Sequence, residues 1–405
     1  MKKLMSLMLC IGATTAMFAQ VTLVKQAEKL SGKPDKLEEA RGLIKQAMAN
    51  PETKDQAYTY YVAGKIELDA YDNGYKTRMI NPGDASASVD ALGQELLGFY
   101  NYALQALPLD SLPNEKGQVK PKYSKDLINK IKGHQSDFYS VGADYYNEQK
   151  FYPEAYDAFM IYASLPEKFL GPNNGLITPE QAAAAFFNAG LAANQGGNID
   201  ASAEAFKQAR LMGYDKPEAT IFEIACWQTI AQNDNDRANE TMARIKDAAQ
   251  FGLDNFGMEN PIFLNNLINV LVNDNQSDEA LAKLNDLIAA NPDVANLYGL
   301  RGYIYDRLEN DDASVADFRK AASLPTVDFE TLKNASNKLY RVGTSKLNSL
   351  EGNSPEINAA REDVKNNYFL QAQKYAEQAN LLQPGDPYIQ NILDSIDYAI
   401  TTFFN

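Results

Sequence analysis

Apolar residues recur along most of this chain at intervals of three and four, the spacing that puts them on one face of an α-helix. No stretch alternates apolar and polar residues as a half-buried strand does. The clearest segment is FNAGLAANQGGNIDASAEAFKQARLMGYD, residues 187–215. Phe187, Gly190 and Ala193 mark a first helix there, and Ser202, Phe206 and Ala209 mark a second, with a polar turn at Gly196-Gly197-Asn198. The grouping returns downstream. Phe186, Phe222, Leu264 and Tyr298 occupy equivalent positions at spacings of 36, 42 and 34 residues. Four positions later stand Gly190, Cys226 and Gly302, with Ile268 the exception. The second helices align as Ser202/Phe206/Ala209, Ala238/Met242/Ile245, Ala280/Leu284/Leu287 and Ser314/Phe318/Ala321, and Pro292 and Pro325 close two of the units.

This self-similarity predicts stacked helix pairs, none of which can cover its own apolar face. Small residues at Gly190, Gly302, Ala209 and Ala321 let the two helices of a pair approach closely, and Phe206 and Phe318 fill the groove between neighbouring pairs. Less regular units flank the clear ones. Phe138, Val141, Gly142 and Tyr145 precede Ala155 and Phe159; Tyr60, Ala63 and Gly64 precede Leu96, Tyr100, Ala103 and Pro108. Ala40, Ile44, Ala47 and Pro51 remain of a first unit. A last unit keeps Leu339, Val342 and Gly343, then Ala372, Ala376, Ala379 and Pro384.

An aromatic residue, then a small residue, then a second helix with Ala, an aromatic, Ala and a closing Pro resembles the tetratricopeptide-repeat family. The resemblance covers residues 21–402 and is strongest over 180–326. It implies an all-α fold: a right-handed tetratricopeptide-repeat superhelix, or α-solenoid, of about eight helix pairs, with residues 386–402 as a C-terminal capping helix. Pro, Gly and Asn mark loops at 72–88, 107–124, 165–179 and around Gly352–Pro355. The third is the expected boundary between degenerate N-terminal units over 20–170 and a C-terminal array over 171–405.

The N-terminus changes the picture of where the protein works. Lys2 and Lys3 precede an apolar run from Leu4 to Ala13 and a small-residue zone ending at Ala19-Gln20. This is the three-part pattern of a secretory signal peptide over residues 1–19, cleaved after Ala19 or alternatively after Ala16, so a periplasmic or secreted protein is expected. Cys10 has no small residue before it, which argues against a lipid anchor. No later segment approaches eighteen consecutive apolar residues, so no transmembrane segment is expected.

Composition then removes several kinds of chemistry. The 405 residues include 38 Lys and Arg, 53 Asp and Glu, one His and two Cys, for a net charge of −15; loss of residues 1–19 takes away two lysines and no acid. One histidine and two cysteines cannot build a multi-histidine metal site or a zinc cluster, and neither metal nor cofactor is expected. The acidic balance argues against a nucleic-acid partner. His134 is the sole base for a Ser-His-Asp triad, but no G-x-S-x-G elbow accompanies it, and the sequence shows no enzyme signature. Residues 115–132 hold six lysines against two acids and read as a solvated loop entering a helix rather than as a docking patch.

The resemblance supplies the remaining hypothesis. In this family, contacts to a partner come from the first helix of each unit, one, five, eight and nine residues after the aromatic start. Transferred here, those offsets single out Phe187, Asn194, Trp227, Asn265, Asn269, Asn273, Tyr303, Asp306 and Arg307 as a partner-binding concave face. Amides satisfy both donors and acceptors of an extended peptide, and Trp227 and Tyr303 are candidate anchors. The first contact position is Phe187, Glu223, Asn265 or Gly299, never Lys as in versions that clamp an acidic C-terminal tail. The expected function is a non-catalytic scaffold or adaptor for a neutral or basic protein or peptide, with homo-oligomerisation compatible. The alternative is a glycan-binding envelope protein in which Trp227 stacks on sugars.

Overall fold

The computed structural model describes residues 22–404 apart from 115, 172, 173 and 353; the expected signal peptide lies outside the described residues. The chain divides into two compact units, the first ending at Arg237 and the second beginning at Ala238. Both are all-α, and among the described residues the extended pairing is confined to one isolated bridge between Pro113 and Val119.

The first unit contains a helix over 22–30 (α1), α2 (Leu37–Ala49), α3 (Ala57–Ile80), α4 (Val89–Asp110), α5 (Ser124–Gly133), α6 (Gln135–Asn147), α7 (Tyr152–Leu165), α8 (Pro179–Gln195), α9 (Ile199–Leu211) and α10 (Glu218–Asn233). The second contains α11 (Ala238–Phe256), α12 (Pro261–Asn273), α13 (Ser277–Ala290), α14 (Ala295–Arg307), α15 (Asp311–Ala322), α16 (Phe329–Asn348), α17 (Pro355–Val364), α18 (Leu370–Leu382) and α19 (Pro387–Phe403).

The pairing rule read from the sequence operates in both units. Ser202 Oγ on α9 donates to Gly190 O on α8 at 2.9 Å, and Ser314 Oγ on α15 donates to Gly302 O on α14 at 2.8 Å. Asn198 and Asn310 cap the second helices by accepting from the amides of Ala201 and Ala313. Phe206 and Phe318, both fully buried, lie against those glycines. Phe159 on Gly142 and Phe369 on Gly343 repeat the contact, while Phe263 of α12 lies against Gly252 of the preceding helix α11. In α19, Ile389, Ile392, Ile396 and Ala399 face the core, while Gln390, Asp394, Asp397 and Tyr398 face outward, as a terminal cap requires.

Three expectations are corrected. Residues 72–80 are the end of α3, not a loop, because Gly74 is a packing position: a Cβ there would lie 2.7 Å from Leu92 Cδ2 across the α3–α4 hairpin. Likewise 107–110 belong to α4, and the loop that follows is pinned at its far end. Asp110 accepts from the amides of Lys122, Tyr123 and Ser124 at 2.8–2.9 Å, and Tyr123 stacks on Tyr61 at 4.7 Å. Finally, the chain does not divide at 165–179. A π-helical turn at Pro166–Leu170 extends α7, Ile177 is buried, and one core holds Phe159 and Ala182 from either side of the segment. The division falls instead between the two helices expected for the Phe222 unit.

Candidate functional site

In the second unit, the first helices of three successive pairs, α12, α14 and α16, enclose a cavity of about 340 Å³. Its position depends on Gly299. A Cβ at that residue would lie 2.7 Å from Thr331 Oγ1, so only glycine lets α14 and α16 meet so closely along the cavity floor. The α12 side presents Asn265 and Asn269, the α14 side Asn296 and Tyr303, and the α16 side Asp328, Glu330 and Asn334. Asn296 Nδ2 donates to Asn265 Oδ1 at 3.1 Å, which fixes both amides yet leaves the Asn265 NH₂ and the Asn296 carbonyl available. The side chains of Asn269, Asn334 and Tyr303 have no hydrogen-bond partner among the described residues. Asp328 caps α16 by accepting from Thr331 N at 2.7 Å, and Glu330 takes Lys333 at 2.7 Å on its outer side. The groove is thus a field of neutral amides with an acidic margin.

Of the residues singled out through the family resemblance, Asn265, Asn269 and Tyr303 line this one cavity. Asn273, Asp306 and Arg307 do not line this cavity. Asn273 and Arg307 are exposed at the ends of their helices, while Asp306 is held by Lys338 at 2.5 Å and Arg341 at 3.3 Å. Lys338 is itself buried and also contacts Asp311, so the Asp306 charge serves to fasten α16 to the α14–α15 pair. Asn296, Asp328, Glu330, Thr331 and Asn334 were missed. The last four lie at the cap and on the first turns of α16, well before the Leu339 start assigned from the pattern; Asp328, an N-cap residue type, with the acidic Glu330 two residues later was the signal of an earlier helix start.

The first-unit candidates have different surroundings. Phe187 stacks on Tyr214 at 4.5 Å and tilts against Phe206 at 5.5 Å, so its ring is part of the packing. Trp227 is 3% exposed, which corrects its assignment as a groove anchor and removes the sugar-stacking ring of the glycan alternative. Glu223, another transferred contact position, is fully buried in a two-bond fork with Arg210, at 2.6 and 3.1 Å. Asn194 alone of the three is exposed, at the edge of an apolar notch of about 130 Å³ formed by Leu191, Phe206 and Phe222. Cys226 is buried with its Sγ 3.4 Å from Ser202 Oγ, and burial pushes its thiol up. His134 ends α5, with Nδ1 2.8 Å from Asp137 and Nε2 3.8 Å from Asp72, and pins α3 to the α5–α6 turn.

Comparison with known proteins bears on one pair directly. Residues 295–326, which contain α14 and α15, match the family described as tetratricopeptide repeat. No curated protein matches the sequence. A TPR repeats protein from Bacteroides fragilis NCTC 9343 is similar at 16% identity over 66% of this chain and 99% of that one, with a TM-score of 0.33. A tetratricopeptide repeat protein from Parabacteroides merdae ATCC 43184 matches at 11% identity over 65% and 99%, TM-score 0.35. Yeast Tom70 matches at 14% identity over 95% and 90%, TM-score 0.32.

Proposed function

We propose that this chain, a tetratricopeptide-repeat protein, is a non-catalytic interaction scaffold or adaptor that is exported to the cell envelope and holds a protein segment or extended peptide between α12, α14 and α16. The observation that carries the reading is the convergence of Asn265, Asn269, Asn296 and Asn334 from three successive first helices on one cavity. An extended backbone offers alternating donors and acceptors, and side-chain amides answer both without fixing the partner's sequence. Asp328 and Glu330 at the margin favour a neutral or basic segment over an acidic one. Export rests on the Lys2-Lys3 start, the apolar run and the Ala19-Gln20 junction. No helix of the described residues is long and apolar enough to cross a membrane.

The test is a paired capture from native envelope fractions, using the wild-type chain and an Asn265→Ala/Asn269→Ala variant, quantified by mass spectrometry. Both asparagines are at least partly solvent-facing, so the variant should fold normally. A partner recovered by the wild type and depleted tenfold or more with the variant is expected. Equal recovery of every captured protein by both would refute the groove as the binding site.

A further inference from the structure

Between α4 and α6 this acidic chain presents a basic surface. Residues 115–132 carry six lysines, two acids and no arginine, a local charge of +4 against −15 for the whole. Pattern alone reads them as a solvated loop, but the loop is built. Asn114 Oδ1 accepts from the amides of Lys116 and Gln118 at 2.9 and 3.1 Å, Asn114 N donates to Gln118 O at 2.9 Å, and a bridge pairs Pro113 with Val119. Asp110 then ties the returning chain to the end of α4 through the amides of Lys122, Tyr123 and Ser124. Every described residue from 111 to 122 is nonetheless exposed, so the short hairpin stands off the helices that anchor it. Leu112 is 60% exposed and Val119 56%. Two exposed apolar side chains alone would mean little; set among unpaired lysines on an ordered hairpin, they make an amphipathic edge.

Lys116, Lys120, Lys122, Lys125 and Lys132 make no ion pair among the described residues; only Lys130 meets Asp126, at 3.5 Å. The nearby acids are otherwise engaged. Asp110 also accepts from Ser124 Oγ at 2.7 Å, and Asp126 accepts from the Tyr61 hydroxyl at 3.1 Å. Helix α5 turns Leu127 and Ile131 inward and leaves Lys125 exposed beside the hairpin. The kind of cation selects the kind of anion. A defined carboxylate or phosphate is best gripped by the flat arginine fork. Here every cation is a lysine, a point charge on a flexible stem, and the charges are strung out from 116 to 132. That arrangement suits a surface of diffuse negative charge, into whose headgroup layer Leu112 and Val119 can enter. We propose that the hairpin and the exposed face of α5 rest on a bilayer containing anionic phospholipid. The net charge of the chain does not oppose this strongly, because at physiological salt a charge acts over about 8 Å and the local balance decides. The contact is independent of the amide-lined cavity.

Val119→Trp places a fluorescent reporter in the hairpin of the full chain, whose own tryptophan, Trp227, is buried. With vesicles of phosphatidylcholine and phosphatidylglycerol its emission should shift to the blue and be quenched by brominated acyl chains; with phosphatidylcholine alone it should do neither. Adding Lys120→Gln/Lys122→Gln/Lys125→Gln should weaken binding, read from the vesicle titration, about a hundredfold, since each lysine near an anionic surface contributes about fivefold. Lys45→Gln/Lys216→Gln/Lys374→Gln removes the same charge elsewhere and should leave the titration unchanged. All six lysines are exposed and unpaired, so both triple variants should keep the circular dichroism of the parent. The Lys2-Lys3 start and its apolar run are the same in every chain, so the differences belong to the hairpin. No shift with the anionic vesicles, an equal shift with the neutral ones, or equal weakening by the two triple variants overturns the proposal. A shift with poly-L-glutamate but not with vesicles also overturns it and assigns the surface to an acidic polypeptide.

Discussion

Gly190 and Gly302 hold the same place in two helix pairs, yet adding one methyl group to each should have different consequences. At Gly190 the new Cβ would lie 2.6 Å from both Cδ1 and Cε1 of Phe206, a distance that forces the buried ring to move. At Gly302 the nearest atoms are Phe318 Cγ at 3.3 Å and Asp317 Cβ at 3.4 Å, a tight contact that a shift of a few tenths of an ångström relieves. Replacing a mid-helix glycine by alanine gains about 1 kcal/mol of helix propensity in either case. Overpacking a fixed core costs about 1–3 kcal/mol. With the overpacking cost at the upper part of its range, as a 2.6 Å contact requires, Gly190→Ala should lose up to about 2 kcal/mol net, whereas Gly302→Ala should fall between a gain of about 1 kcal/mol and no change. For units of this size each kcal/mol moves the melting midpoint by about 2–4 °C. Differential scanning calorimetry with urea melts followed by circular dichroism would read the difference. Adding Phe206→Leu to Gly190→Ala should recover part of the loss by shortening the group that is hit. A Gly302→Ala chain as destabilised as Gly190→Ala would refute the claim that ring position, rather than the glycine itself, sets the outcome.

Glu95, its carboxyl pushed up by burial against the opposing pull of Arg41, gives a pH signature of stability. Its ordinary value is 4.5 and the folded value is about 7, so the folded chain binds the proton more tightly than the unfolded chain between those limits. The contribution is full below pH 4.5 and lost as pH rises through 7, a swing of about 3 kcal/mol. Glu95→Gln should flatten that window and be more stable than wild type at pH 8, as urea melts across pH 5–8 would show. Arg210→Ala should cost about 3–5 kcal/mol because it removes the two-bond fork from the buried Glu223 carboxylate, and an unchanged midpoint would contradict the fork. The single tryptophan, Trp227, should emit to the blue of exposed indole and resist quenching by acrylamide, while Cys226 should react with a maleimide only after urea is added.

The pairing of helices was legible in the sequence because it depends on two size classes at fixed spacing. Gly190 with Phe206 and Gly302 with Phe318 can be read from letters alone, since a vacancy and the ring that fills it leave a periodic trace. Helix ends were less legible. The Asn and Gly of residues 72–80 have the composition of a loop, and only the approach of Leu92 explains why Gly74 sits inside a helix. The groove was legible in part for the same kind of reason. Asn265, Asn269 and Tyr303 follow the helical offsets, but α16 starts well before its small-residue signature at Gly343, and nothing periodic marks Asp328, Glu330 or Asn334.

Two glycines one turn apart on α14 separate structure from recognition. Gly302 faces Phe318 within its own pair, and its role is to close that pair. Gly299 faces Thr331 of the next first helix, and its role is to set the distance between pairs and hence the width of the amide-lined cavity. A Cβ at Gly299 meets a β-branched, buried residue at 2.7 Å, so Gly299→Ala must push α16 away from α14 and carry Asn334, Asp328 and Glu330 with it. A partner that bridges Asn265 and Asn334 should then bind more weakly although no contacting side chain has been changed. Thr331→Ser removes the Thr331 Cγ2 that would lie 2.9 Å from the new Cβ, and in the Gly299→Ala background it should restore part of the affinity. Unchanged binding by Gly299→Ala would mean that the partner engages only one of the three helices, and the groove would then be too generous an account of the site.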